Sequence, residues 1–550
     1  MTIQRMSSKG RISIVKIQNF TIERRQSVIP LVYGTLLLVV AVVMATVSPL
    51  ERITNWYLRV SEGSFVYRMW QNPTYDLYCD VYIYNYTNIP AFLAGDDAVL
   101  KMTEVGPFRY NEKRTNRNMS IDHESGRLRM TPHINLTFLP HESVAHTKDV
   151  YLNVPNIALI AISTLAADKL GYIANLGAYY SISATGSKLF LNITAQEYLW
   201  GYQDPIVTIA NRFLPGWIDF GKIGIMDRFY GQKMLGTEVQ IRDTHRRFEI
   251  ETWDGSAGLV EQGFKDLNTS SLCNTIKGSF EGLMFSPKVF EDKEIRLFRK
   301  QACRVFPFVY QKDMMTDSGF TIQRFQMERH AFNNTSPYAC KCTENCLPNG
   351  FVDISSCYYG FPITLSKPHF IDVDPAQKLH FEGMTPEPEK HESRLDIEPN
   401  TGVPLSLQSN IQVNIAVRTN AGNPITKPLK DKVMPLMWVS LYCREAPPEV
   451  LSLLRLRFVI APPLVITATV LLFLAGAVLG AQGFYRLLRP KYRLIEPEVV
   501  PKPRRRKSSI AINMSDNKAF KDDDDMAKEA VSLLAIREED SDLPDLILTD

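Results

Sequence analysis

Two long uncharged stretches constrain this 550-residue chain more than anything else in it. Val28 to Leu50 gives 23 residues without a charge, and Phe458 to Tyr485 gives another such run between Arg457 and Arg486. As helix, 23 residues reach about 34 Å, enough for the roughly 30 Å core of a bilayer. Neither run has the polar face that a core helix would turn outward. The 27 residues before Val28 and the length of the apolar run argue against a cleaved signal peptide. Arg5, Lys9, Arg11, Lys16, Arg24 and Arg25 precede the first run against a lone Glu23. Arg486, Arg489, Lys491, Arg493, Lys502 and Arg504 to Lys507 follow the second. Positive flanks stay in the cytosol, so both tails belong there and residues 51–457 form one lumenal or extracellular loop. The expected organisation is a cytosolic tail 1–27, a span 28–50, an ectodomain 51–457, a span 458–485 and a cytosolic tail 486–550. The formal net charge of +3 excludes a dedicated nucleic-acid binder.

The loop carries seven Asn-x-Ser/Thr sequons, at Asn85, Asn118, Asn135, Asn192, Asn268, Asn333 and Asn334. They fit an exported segment that carries glycans; Asn513-Met-Ser lies in the tail and should stay unmodified. Val81-Tyr-Ile-Tyr, Phe248-Glu-Ile-Glu-Thr-Trp and Ile411-Gln-Val-Asn-Ile-Ala-Val alternate apolar and polar residues as half-buried strands do. Asn156 to Lys169 instead shows helical spacing, with Asn156 as N-cap. Further helix is expected around Leu170 to Tyr180 and Ala195 to Tyr202. From Ala511 to Asp550 there are twelve acidic and four basic residues, a composition that opposes folding.

Four of the eight cysteines fall within Tyr338-Ala-Cys-Lys-Cys-Thr-Glu-Asn-Cys…Ser-Ser-Cys357. Cys-x-Cys beside Cys-x3-Cys lacks the second pair or the histidines of a zinc site. Outside the cytosol such cysteines pair as disulfides. The stretch continues through Pro368-His-Phe to Leu395-Asp-Ile-Glu-Pro-Asn-Thr-Gly402. In this ordered set of motifs the chain resembles the class B scavenger receptor family, which includes the fatty-acid translocase and a lysosomal integral membrane protein. The similarity covers residues from about 30 to 480. The resemblance implies a large α+β ectodomain: a β-rich, barrel-like core crossed by an apolar tunnel and capped, far from the membrane, by a helical bundle. It implies disulfides Cys273–Cys340, Cys303–Cys357 and Cys342–Cys346. Cys79 and Cys443 remain, either as a fourth bridge, Cys79–Cys443, or as two buried thiols.

No nucleophile elbow, zinc-protease helix, phosphate loop or dinucleotide fingerprint is present, and no cofactor or metal is implied. Asp396 and Glu398 would share one face of a strand; without an acid/base partner they read as acceptors for neighbouring turns. An enzyme is therefore not expected. Family members dock ligands on the cap, which maps here to residues 154–202. The candidates for contact are Leu170, Tyr172, Ile173, Leu176, Tyr179 and Tyr180, with Lys169 and Lys188 as cationic groups. Each apolar residue has a competing role in packing the cap. The expected function is a scavenger-type receptor for fatty acids, sterols or lipoproteins that passes lipid along the tunnel to the membrane. The alternative is a sorting receptor that carries a lumenal protein such as a hydrolase, with His133, His141 and His146 as candidate pH sensors.

The C-terminal tail adds an address. Glu529-Ala-Val-Ser-Leu533-Leu534 and Asp542-Leu-Pro-Asp-Leu546-Ile547 place an acid four residues before an aliphatic pair, the form that clathrin adaptors read in extended peptides. Together they predict late endosomes and lysosomes, with passage over the plasma membrane. Arg505-Arg-Lys-Ser508-Ser509 has the form basophilic kinases prefer, so Ser508 and Ser509 are phosphorylation candidates.

Overall fold

The computed structural model describes residues 28–213, 221–231, 236–243, 245–287, 292–340, 342, 346–418 and 423–488. Ser508, Ser509, Glu529, Leu533, Leu534, Asp542, Leu546, Ile547 and Asn513 lie outside the described residues. The first membrane helix covers Val28–Val47. It stops before the expected Leu50 because Ser48 turns left-handed (φ 48°) and Pro49 starts a new helix, Pro49–Tyr57. The second covers Pro448–Leu488, starting ten residues before the uncharged run. Its charged opening turn, Pro448–Arg455, passes through a π-helical turn, Leu456–Ile460, into Ala461–Leu488. Pro462 and Pro463 explain that turn, since neither can donate back to the preceding turn and a π-bulge absorbs the mismatch.

Small residues let the two membrane helices touch. A Cβ on Gly34 would lie 2.5 Å from the Gly480 nitrogen and 2.8 Å from the Gly476 oxygen; one on Gly483 would lie 2.8 Å from the Leu31 nitrogen. Gly476-Ala-Val-Leu-Gly480 has the spacing that brings backbones together inside a bilayer.

Among the described residues sixteen strands build the ectodomain. They are β1 (Leu77–Tyr86), β2 (Leu100–Asp122), β3 (Arg127–Phe138), β4 (Tyr151–Pro155), β5 (Phe190–Thr194), β6 (Thr237–Gln240), β7 (Ile250–Trp253) and β8 (Glu294–Arg299). There follow β9 (Arg304–Met315), β10 (Thr321–Met327), β11 (Val352–Asp353), β12 (Ile363–Ser366), β13 (Phe381–Glu382), β14 (Arg394–Glu398), β15 (Val403–Ala416) and β16 (Val433–Cys443). The main sheet runs β7-β6-β3-β2-β1-β16-β15-β14-β10-β9-β8. Its two edges are stitched together by residues 278–280. The Ile250 amide donates to the Ser279 carbonyl at 2.8 Å, and Phe280 bridges to Leu297 of β8. Closure removes the edges and makes the sheet a barrel.

Alternation fails in one instructive place. Ile411 to Val417 was expected to be half-buried, yet Gln412 and Asn414 are fully buried. β12 pairs edge to edge with the end of β15, and Lys367 to Phe370, which follow β12, bring polar partners to it. Gln412 accepts from Tyr84 Oη at 2.7 Å and from the His369 amide at 2.8 Å, while Asn414 donates to Ser366 Oγ at 3.0 Å. The polar half of the repeat thus meets polar partners instead of water.

Three disulfides are formed: Cys273–Cys340, Cys303–Cys357 and Cys342–Cys346. The bridge between Cys79 and Cys443 is not. Both are buried free thiols. Their strands do pair, but with Cys79 opposite Leu441 and Cys443 opposite Leu77. The cysteines are therefore diagonal neighbours, about 7–8 Å apart, beyond the Cα reach of a disulfide.

Candidate binding site: apical patch and internal cavities

The segment read as the cap opens with a capped helix. Asn156 Oδ1 accepts from the Leu159 amide at 3.2 Å and starts helix Ile157–Leu165. Its Nδ2 donates to Asp204 Oδ2 at 2.7 Å, and Tyr202 Oη donates to its Oδ1 at 3.1 Å, tying the start of the helix to residues 202–204. Seven of the nine residues in this helix are buried, so it is the cap's internal spine. A π-helical turn, Ala166–Leu170, leads to the outer helix Gly171–Thr185. The side chains of Lys169 and Leu170 lie outside the described residues.

The outer helix carries the exposed patch. Ile173 is 84% exposed, Tyr180 63% and Tyr172 57%. Leu176 and Tyr179 are half-buried between them, Lys188 is exposed, and the rings of Tyr179 and Tyr180 sit 5.3 Å apart. Ile182 points inward and is buried. Three large apolar side chains on one helix are thus left in water. His133, His141 and His146 are exposed and lie outside this helix. Of the sequon asparagines, Asn118, Asn135, Asn192, Asn268 and Asn334 are exposed, and Asn85 and Asn333 are half-buried.

The cap is held at the far end of the barrel. The Arg418 amide donates to Thr164 Oγ1 at 3.2 Å and its guanidinium pairs with Asp168 at 2.9 Å. Arg418 stands just past the end of β15, whose first residue, Val403, lines a cavity beside the membrane helices. The 14 residues of β15 run roughly 45 Å along the strand, at about 3.3 Å per residue, from that cavity to the cap.

Three cavities lie along this axis. A membrane-proximal chamber of about 360 Å³ is framed by Pro49–Tyr57, Phe65–Gln71 and Pro448–Arg455; Ile53, Tyr57, Met69, Trp70 and Leu454 line it, with Arg457 as its charged group. Arg457 Nε donates to Thr54 Oγ1 at 2.5 Å. A second cavity, about 100 Å³, shares Tyr75 and Leu283 with the chamber. A third, about 70 Å³, shares Arg299, Gln301 and Leu441 with the second.

The middle cavity is not apolar. Glu112, Arg114, Glu281 and Arg299 all line it. Arg114 pairs with Glu281 at 2.5 Å, and Tyr230 Oη donates to Glu112 Oε2 at 2.8 Å. Burial pushes the Glu112 carboxyl up and the Tyr230 phenol well up. None of these residues was singled out from the sequence. The available signal was the period of β2, where Phe108, Tyr110, Glu112, Arg114 and Asn116 share one face and the first two fix it as the inner one.

The remaining sequence candidates are structural. Asp396 forms a two-pronged pair with Arg324 at 2.7 and 2.8 Å. Glu398 accepts from the amides of Asn400 and Thr401 at 3.0 and 2.8 Å. Glu261, Cys303 and Cys357 approach one another closely enough to hold a metal, but both sulfurs are spent in a disulfide.

Comparison with known proteins agrees with this architecture. The sequence model of the CD36 family matches residues 32–487. Scavenger receptor class B member 1 of Cricetulus griseus is 27% identical over 420 residues, 74% of this chain and 79% of its own length. The Bos taurus protein of the same name is 26% identical over 459 residues, 82% and 86% of the two chains. Lysosome membrane protein 2 of Homo sapiens is 28% identical over 388 residues, 69% and 77%. The matched span runs from inside the first membrane helix almost to the end of the second and takes in the barrel, the cap and all eight cysteines: this chain belongs to the CD36 family.

Proposed function

We propose that this protein is a two-span lipid receptor with both tails in the cytosol. It binds fatty acids, sterols or lipoprotein surfaces through the apical patch and conducts lipid through the barrel to the membrane. The observation that carries this reading is the run of three cavities with shared walls, ending in an apolar chamber built by the ectodomain ends of both membrane helices. An aromatic and aliphatic patch on the outer cap helix, with the exposed Lys188 following that helix in sequence, suits amphipathic or anionic particle surfaces. The relatives named as scavenger receptors support the same reading. Cells expressing the protein should take up labelled lipid. Leu283→Trp, which plugs the wall between the chamber and the middle cavity, should cut transfer at least several-fold while leaving surface binding of lipoprotein intact. Unchanged transfer would refute conduction.

A second reading has its own support, in the relatives named lysosome membrane protein 2 and the two acidic dileucine-type motifs of the tail. In it the cap carries a lumenal protein, and clathrin adaptors engage Glu529-Leu533-Leu534 and Asp542-Leu546-Ile547. Affinity purification of the full chain at neutral pH tests it: recovery of a stoichiometric lumenal enzyme that is released by acid supports cargo carriage, and its absence refutes it.

A further inference from the structure

A short strap crosses the barrel wall from β2 to β15, and two imidazoles hold it down. It leaves β13, which pairs with β2, and ends in the turn Pro388–His391. There the Lys390 carbonyl accepts from Gln408 and Asn410 of β15 at 3.2 and 2.9 Å. Lys390 Nζ lies over the rings of Tyr82 of β1 and Trp438 of β16. Thr385 to Lys390 are exposed, whereas His391 is buried. The Thr385 amide donates to His369 Nδ1 at 3.0 Å, and the Glu387 amide donates to His391 Nδ1 at 3.0 Å. Among the described residues, residues 384–389 make no other hydrogen bond outside the turn Glu387–Glu392. Pro386 and Pro388 have no amide hydrogen to give.

These two bonds fix the state of both rings. A ring nitrogen that accepts an amide carries no hydrogen, so each imidazole is neutral with its hydrogen on Nε2. His369 Nε2 donates to Glu104 Oε2 at 2.7 Å, an oxygen that also accepts from Trp438 Nε1 at 2.6 Å. His391 Nε2 is buried and has no partner among the described residues. The rings stack at 4.1 Å. A second proton on either ring goes to Nδ1, where it meets the hydrogen of the amide head-on. Two charges act on the pair: Glu104 of β2 favours that proton and Lys390 opposes it. Lys367 and Asp372, on either side of His369 in sequence, pair with each other at 2.7 Å. The other neighbours, Tyr84 of β1, Gln412 of β15 and Trp438 of β16, are uncharged.

We propose that residues 384–391 are an acid-released strap: a proton from solvent, taken up at Nδ1 of His369 or His391, expels the amide held there, and the strap lifts from the barrel wall. Lifting carries Lys390 off the stacked rings of Tyr82 and Trp438. The device lies outside the cap and does not depend on the lipid path.

Hydrogen–deuterium exchange on the full chain in detergent micelles tests it, with protection of peptides spanning 384–391 compared at pH 7.4 and 5 after correction for intrinsic rates. His391 is pulled down to about 4 with the strap in place and returns to its ordinary range once the strap lifts. That difference alone should make opening about twentyfold more frequent at pH 5. Strands β15 and β16 should keep their protection. Asn at both positions, His369→Asn/His391→Asn, offers an oxygen that accepts the same amides but takes no proton, so protection of the strap should become equal at the two pH values. Unchanged protection of the wild-type strap at pH 5 would overturn the proposal, as would an acid loss in the double variant equal to that of the wild type. If the double variant does not fold, the wild type decides: loss confined to the strap supports the device, and equal loss across β15 and β16 means general acid unfolding and overturns it.

Discussion

Glu398 accepts four hydrogen bonds from a two-residue turn: the amides of Asn400 and Thr401, the Asn400 side-chain amide and the Thr401 hydroxyl. It is 1% exposed, so its carboxylate exchanges water for protein donors almost completely. The turn then closes at Gly402 (φ 70°), where a Cβ would overlap the Phe285 carbonyl. Glu398→Ala strands those donors and should cost about 2–4 kcal/mol, read as a fall in the denaturation midpoint. His391 is held neutral by its surroundings. Its ring stacks on His369 at 4.1 Å, and its Nδ1 accepts from the Glu387 amide. Burial first, then His369 and Lys390, pull it down to about 4. The unfolded chain takes up that proton near 6.5, so the stabilisation is complete above that pH and is lost as pH falls towards about 4. By pH 5 the loss is about 2 kcal/mol. The thermal midpoint should fall between pH 7.4 and 5, and fall less in His391→Gln; an equal fall in both would assign the acid sensitivity to other groups.

At the scale of elements, the two membrane helices and the outer cap helix show opposite uses of small and large residues. Gly34 faces the backbone of Gly480 with no room for a side chain, while a Cβ on Gly480 meets nothing within 4 Å. Gly34→Leu should therefore separate the helices at a cost of roughly 1–3 kcal/mol, visible as a lower melting point in detergent, and Gly480→Ala should be silent. On the outer cap helix the large residues are the exposed ones. Replacing Tyr172, Ile173 and Tyr180 together by Ser should leave stability nearly unchanged, because their side chains contribute little to the cap's packing. Under the proposed function it should reduce lipoprotein binding by about tenfold. Normal binding by the folded triple variant would move the docking surface elsewhere.

The whole ectodomain is a closed barrel held by two long-range bridges with sequence separations of 67 and 54. Removing either should cost about 4 kcal/mol in the chain-entropy account. Cys273→Ser/Cys340→Ser should therefore be retained in the endoplasmic reticulum, as reported by glycans that stay sensitive to early-pathway deglycosylation. Under the proposed function the address of the molecule lies in its tail. Replacing Leu546 and Ile547 by Ala together with Leu533 and Leu534 should raise surface biotinylation several-fold; no rise would favour a plasma-membrane role. Much of this scale was legible beforehand. Uncharged runs, basic flanks and clustered cysteines are properties of contiguous sequence, and the apolar spine after Asn156 announces itself through a helical repeat.

What the sequence by itself determined is what local chemistry controls. Hydrocarbon length requires the two membrane helices, and Asn156 can cap a helix because its side chain reaches an amide three residues on. The motifs from Tyr338 to Gly402 carry the family. What only the tertiary structure decided depends on distances between remote residues. Cys79 and Cys443 look like a bridge at opposite ends of one loop, yet strand register sets them diagonally and leaves both as thiols. Gln412 and Asn414 sit at positions that alternation assigns to water, yet they are buried, and a distant segment brings polar partners to them. Glu112 and Arg114 of β2 meet Glu281 and Arg299 in the wall of one cavity only because the barrel closes. No local pattern encodes that, because the burial of a charge is a property of everything that surrounds it.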